Sequence, residues 1–154
     1  MGKIEQKLKE LGIELPSPAK PAATYVPWVR TGNLVYISGQ GAVRDGKIEY
    51  PGKLGDTLSM EDGIASARLT ALNILAHLRD ACNGDLDRVK RIVKLLGLVN
   101  CTPTFGDQPK IINGASDLFV EIFGEKGRHA RSAVGAPALP FGLSVEIEAI
   151  VEIE

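Results

Sequence analysis

The sequence predicts a single α+β domain in which two long helices pack on one face of a mixed sheet. Three observations carry that reading. From Leu143 the chain alternates strictly, with Leu143, Val145, Ile147, Ala149, Val151 and Ile153 on one face and Ser144, Glu146, Glu148, Ile150, Glu152 and Glu154 on the other. A period of two marks a half-buried strand. Two stretches, 59–82 and 109–123, instead repeat apolar residues at helical spacing. Helices separated by strands that each have one apolar face build a layer of helices on a sheet.

Taken in order, Ile4, Leu8 and Leu11 stand at helical spacing before Gly12, which predicts a short docking helix. Residues 15–22, LPSPAKPA, hold three prolines and read as an extended arm, so that 1–22 form an amino-terminal helix and arm of the one domain spanning 1–154. Tyr25–Arg30 and Leu34–Ser38 are rich in β-branched and aromatic residues, and Thr31-Gly32-Asn33 between them signals a hairpin. Residues 42–50 read as a further strand and turn. Gly39-Gln40-Gly41 lacks the third glycine of a nucleotide loop, and predicts a bulge or turn where glycine tolerates positive φ.

Ser59 is placed to cap the first long helix, with Asp62 three residues on, and Asn83-Gly84 to end it. Ile64, Leu72, Leu75, Leu78 and Cys82 form its apolar stripe, and His77 reads as a surface or boundary residue. Residues 86–100 fit a helix or a central strand, and pattern alone does not decide between them. Pro109 opens the second long helix, whose face is Ile111, Ile112, Ala115, Leu118, Phe119, Ile122 and Phe123, and Gly124 and Gly127 mark its end. Arg131–Val134 is a short extended segment, joined to the last strand by a loop with Gly135, Pro137, Pro140 and Gly142.

At 154 residues with 44% hydrophobic composition the chain suffices for one core. Eighteen basic against nineteen acidic residues leave a net charge of -1, which counts against a partner held by general attraction to nucleic acid or anionic membrane. Cys82 and Cys101 stand in apolar segments without metal-ligand spacing and predict buried free thiols in a reducing compartment. The amino terminus lacks an apolar signal core and no segment reaches the length of a membrane span, so a cytoplasmic location is expected.

No Ser/His/Asp set, metal cluster or nucleotide loop is visible in the pattern. What remains is Arg131 with Glu146, near the beginnings of two extended segments that could be neighbours. An arginine presents a planar fork that can hold a small carboxylate bidentately. It could equally pair with Glu146 or Glu148 across two strands.

The run Arg131-Ser132, then a loop with Leu139-Pro140, then Val145-Glu146-Ile147-Glu148-Ala149-Ile150-Val151, resembles the carboxy-terminal signature of the reactive-intermediate deaminase (Rid, or YjgF) family, known under the older label endoribonuclease L-PSP. The stretch TGNLVYISGQ resembles that family's first hairpin, and the likeness extends over about Tyr25 to Val151. It implies a chorismate-mutase-like fold that trimerises, with the sheets inside, the helices outside and the sites in clefts between subunits. It also makes 86–100 a strand. The implied activity is hydrolysis of enamine and imine acids of the 2-aminoacrylate and 2-iminopropionate type to a 2-keto acid and ammonia, without a cofactor or metal. Arg131 would bind the substrate carboxylate and Glu146 would position or activate water. Gly39 would let the backbone approach the ligand, and Tyr25 and Asn113 would complete the site, Asn113 at a spacing from Arg131 one residue off the family's. Many members carry a cysteine two residues after the arginine; here that residue is Ala133. A non-enzymatic trimer binding small carboxylic acids is the other reading, and a ribonuclease is disfavoured by the near-neutral charge.

Overall fold

The computed structural model describes residues 1–18, 20, 21 and 23–154. Its main sheet contains β1 (Trp28–Thr31), β2 (Leu34–Gln40), β5 (Val89–Asn100), β6 (Ala130–Ala136) and β7 (Val145–Ile153), in the order β1-β2-β7-β5-β6. A separate two-stranded ribbon pairs β3 (Val43–Arg44) with β4 (Lys47–Ile48), so residues 42–50 do not join the main sheet as a further strand. Among the described residues three α-helices complete the fold: α1 (Lys3–Glu10), α2 (Met60–Ala81) and α3 (Gln108–Phe123). Residues 13–18, 20 and 21 of the arm form neither helix nor strand, and Ala19 and Ala22 lie outside the described residues. The result is an α+β arrangement, two long helices on one face of a mixed sheet.

Local chemistry sets these boundaries. Ser59 Oγ accepts the Asp62 N–H at 3.1 Å and starts α2. Asn83 and Gly84, both at positive φ, end it, a conformation Asn and Gly tolerate best. Pro109 sits in the first turn of α3, where its missing N–H costs nothing, and Gly124 at φ 62 closes the helix. The ambiguous segment 86–100 resolves into a single 3-10 turn followed by a twelve-residue strand. Its tertiary setting decides the matter, because β5 pairs antiparallel with β7 and parallel with β6 and so lies inside the sheet.

The alternation of β7 is realised in full: Val145, Ile147, Ala149, Val151 and Ile153 are buried. They pack under α2 and α3 with Leu95 and Val99 of β5. On α2 the buried stripe is Ala67, Ala71, Ile74, Leu75 and Leu78 rather than one beginning at Ile64, which is 38% exposed. Small residues lie where the two helices touch, since a Cβ on Gly114 would collide with the Ile64 carbonyl oxygen. His77 is not a boundary residue: it is 1% exposed, and burial lowers its pKa. Cys82 and Cys101 are both buried and free. Asp87 caps the distant α1, its carboxylate accepting the N–H groups of Lys3 and Ile4 at 2.9 Å each.

The face of the sheet away from the helices is left open in the single chain. There Val29, Tyr36 and Val134 are 53%, 44% and 44% exposed. Val29, Tyr36, Leu96, Glu148 and Ile150 line a trough of about 350 Å³ on it. Among the described residues, no helix is long and apolar enough to cross a membrane.

Candidate functional site

Arg131 and Glu146 are not on neighbouring strands, because β5 runs between β6 and β7. Arg131 pairs with Leu95, and Leu95 pairs in turn with Ala149; both partners are buried beneath the helices. Glu146 pairs with Leu98 on the alternate phase. Paired residues share a face and successive residues alternate, so Arg131 lies on the helix face and Glu146 on the open face. Their Cα atoms are about 14 Å apart from strand spacing and rise. A direct Arg131–Glu146 ion pair within one chain is therefore ruled out by topology, and none of the ion pairs among the described residues involves Arg131.

Arg131 is instead tied to α3. Its Nη1 donates to Asn113 Oδ1 at 2.8 Å and to Ser116 Oγ at 3.1 Å. Both Nη1 hydrogens are thus occupied, while Nε and Nη2 make no hydrogen bond among the described residues. That edge is the two-donor fork a carboxylate accepts bidentately. The guanidinium is half-buried and opens on a pocket of about 240 Å³ shared with Ser116, Asp117, Arg128 and His129.

Glu146 belongs to a second cluster. Between Ile37 and Gln40, β2 carries one residue more than the facing stretch of β7, a bulge that contains Gly39. A Cβ on Gly39 would stand 3.0 Å from Glu146 Cδ and 3.1 Å from its Oε1. The expected bulge is present, but Gly39 is absent from the positive-φ residues, so space and not φ requires glycine there. Asn73 on α2 holds this end of the strand by donating to the carbonyls of Gly41 and Val43 at 2.9 Å each. Burial, and secondarily the Glu148 carboxylate, raise the Glu146 pKa.

Tyr25 precedes β1 and is 51% exposed, so it is not a strand aromatic covering the core. Its segment is held beside Gly39 because Ser38 N–H and Oγ donate to the carbonyls of Pro27 and Val26, at 2.9 and 2.7 Å. One chain therefore separates the candidate residues into two clusters: Arg131 with Asn113 at the β6 edge, and Tyr25, Gly39 and Glu146 at the β2–β7 end. Ser116 and His129 were not singled out by the sequence reading. The available signal was spacing, since Ser116 stands three residues after Asn113 on one helix face and His129 two residues before Arg131 on an alternating segment.

Residues 5–151 match the family described as "YjgF/chorismate mutase-like, putative endoribonuclease". Protein TCP17 of Trypanosoma cruzi is 46% identical over 153 residues, covering 99% of this chain and 95% of that protein. The crystal structure of Atu1372 from Agrobacterium tumefaciens superposes with a TM-score of 0.92 at 48% identity, covering 98% of this chain and 92% of the other. That of Escherichia coli TdcF with bound serine gives a TM-score of 0.64 at 25% identity, covering 90% and 94%.

Proposed function

Since the chain belongs to the YjgF/chorismate mutase-like family, as the match over 5–151 shows, we propose that it is a hydrolytic deaminase of enamine and imine acids of the 2-aminoacrylate and 2-iminopropionate type. The observation that carries this reading is the Arg131 guanidinium, with Nη1 fixed to Asn113 and Ser116 and the Nε–Nη2 edge unpartnered among the described residues. Such a fork suits a small carboxylate in a fixed orientation. Serine in TdcF is an amino-acid ligand of the same class, a carboxylate on a short carbon unit.

In this reading the substrate carboxylate lies on Arg131 and its C2 faces Glu146 of a second copy. The open sheet face, with Val29, Tyr36 and Val134 exposed, supports a homotrimer in which that surface is covered. Glu146 takes a proton from water as the water oxygen bonds to the iminium C2. Glu146 returns that proton to the carbinolamine nitrogen, the C2–N bond breaks as the hydroxyl proton passes to solvent, and ammonia leaves the 2-keto acid. A raised carboxyl pKa brings the base nearer to neutrality, where general-base transfer is most effective. Gly39 leaves room for substrate against Glu146, and the Tyr25 segment borders it. Imines hydrolyse unaided, so positioning and charge complementarity supply the rate. Two buried free thiols support a reducing, cytoplasmic setting.

The test is the decay of 2-iminopropionate, generated by an amino-acid oxidase and trapped with semicarbazide. Wild-type protein should accelerate decay and folded Arg131→Ala should not. No acceleration with several amino-acid precursors, together with stabilisation by small carboxylic acids, would make the protein a binding module.

A further inference from the structure

Behind Arg131 lies a hydrogen-bond chain whose direction the acceptors fix. His129 Nδ1 is 2.6 Å from the Gly127 carbonyl oxygen. A carbonyl can only accept, so Nδ1 carries the hydrogen. Burial, the largest influence, and the nearby Arg131 charge lower the His129 pKa, and only the bond to Gly127 opposes them. In the neutral ring Nε2 is a lone pair. Ser116 Oγ stands 2.8 Å from that Nε2 and must donate to it. The Ser116 oxygen then offers its own lone pairs to Arg131 Nη1 at 3.1 Å.

The ring cannot readily turn away. It meets Phe119 edge-on, with centroids 6.2 Å apart and planes at 87°. Gly127 packs so tightly on α3 that any Cβ would collide with the Phe119 carbonyl, which holds the Gly127 carbonyl where Nδ1 needs it. A hydroxyl pinned as a donor on one side is a better oriented acceptor on the other.

We propose that Ser116 and His129 are positioning residues for Arg131, forming a one-way relay from Arg131 Nη1–H through Ser116 O–H to His129 Nε2, with Nδ1–H anchored on the Gly127 carbonyl. The relay stops the guanidinium from rotating and keeps the Nε–Nη2 edge outward. Its consequence for function rests on the reading of Arg131 as the carboxylate anchor; the relay itself does not.

Two measurements decide it. First, nitrogen-15 NMR of the histidine rings in the wild-type protein at neutral pH should show His129 as the Nδ1–H tautomer, and the Arg131 Nη hydrogens should be slowed in exchange and rotation. Ser116→Ala should release the Arg131 signals while leaving the fold intact, and Ser116→Thr, which keeps the hydroxyl, should restore them. An Nε2–H tautomer, or Arg131 signals unchanged by Ser116→Ala, would overturn the relay whether or not the protein has deaminase activity. Second, with pyruvate as the carboxylate probe and 2-iminopropionate as substrate, Ser116→Ala should raise the pyruvate Kd and the KM about 3–10-fold, the range of one ordinary hydrogen bond, while kcat changes less. Ser116→Thr should recover most of that loss. Unchanged pyruvate affinity in Ser116→Ala, where Arg131→Ala has lost it, would also contradict the proposal. A wild type that neither binds pyruvate nor accelerates imine decay would defeat the deaminase reading and leave the relay to the NMR result alone.

Discussion

Arg131 and Glu146 lie on opposite faces of one sheet, with the whole of β5 between their strands. The family's proposed anchor and base can therefore serve one substrate only if they come from two copies of the chain. The open sheet face, where Val29 and Tyr36 are exposed, is the surface such an assembly would cover. An equilibrium mass of three chains in solution is the corresponding expectation. A monomer at assay concentration would remove the shared site.

Replacing Arg131 should affect substrate capture above all. Arg131→Ala is expected to lower kcat/KM by about 30-fold or more, the loss of some 2 kcal/mol or more typical of an unpaired charged contact. Arg131→Lys should recover little of this, because an ammonium lacks the planar fork and cannot reproduce both the Asn113 bond and a bidentate carboxylate. Steady-state kinetics on 2-iminopropionate checks both variants.

Glu146 predicts a pH signature. Its pKa is raised by burial first and by Glu148 second. If the carboxylate is the base, kcat/KM should rise with pH through that raised value, so the acidic limb lies above the ordinary carboxylate range. Glu148→Gln removes the like charge and should move the limb to lower pH. The linkage has a definite sign. A carboxyl with a raised folded-state pKa holds its proton longer in the native state, so its contribution to stability falls as pH increases from the unfolded value through the folded one. Glu146→Gln abolishes that slope. Denaturant titrations of both proteins across the acid range should show the difference narrowing toward low pH.

Gly39→Ala isolates geometry from charge. The added methyl would sit 3.0 Å from Glu146 Cδ and 3.1 Å from Oε1, so the carboxylate must shift. About 10–100-fold loss in kcat/KM is expected from displacing a reacting group. Backbone strain should contribute little, since Gly39 is not at positive φ. Retained activity would mean that Glu146 has slack or that it takes no part.

Gly114→Ala probes the helix layer that supports Arg131 through α3. A Cβ there would strike the Ile64 carbonyl oxygen, part of a helix backbone that cannot yield locally. Overpacking of this kind costs about 1–3 kcal/mol. Thermal unfolding should show a lower Tm, with Gly106→Ala, where a Cβ meets nothing within 4 Å, as the control.

The fold was legible because its strongest signals are local. Strict alternation in β7, the Ser59 cap and Pro109 at the start of α3 act within a few residues and do not depend on distant contacts. The site was legible as residue types but not as an arrangement. Strand order is a long-range property: sequence places β6 and β7 next to one another, and the sheet inserts β5 between them. His77 was misplaced for a similar reason. A polar residue flanking an apolar stripe carries no mark that another element will cover it, yet α2 is buried there around most of its circumference. Ser116 and His129 gained meaning only once α3 lay against β6.

One active site is proposed to draw Arg131 from one copy and Glu146 from another. Subunit mixing tests it most directly. Arg131→Ala and Glu146→Gln are prepared separately, each inactive on 2-iminopropionate, then dissociated, mixed and reassembled. Shared sites predict that the mixture regains a substantial fraction of wild-type activity, because some interfaces bring an intact Arg131 to an intact Glu146. A mixture as inactive as its two components, with mixed oligomers demonstrated by native mass spectrometry, would contradict the account.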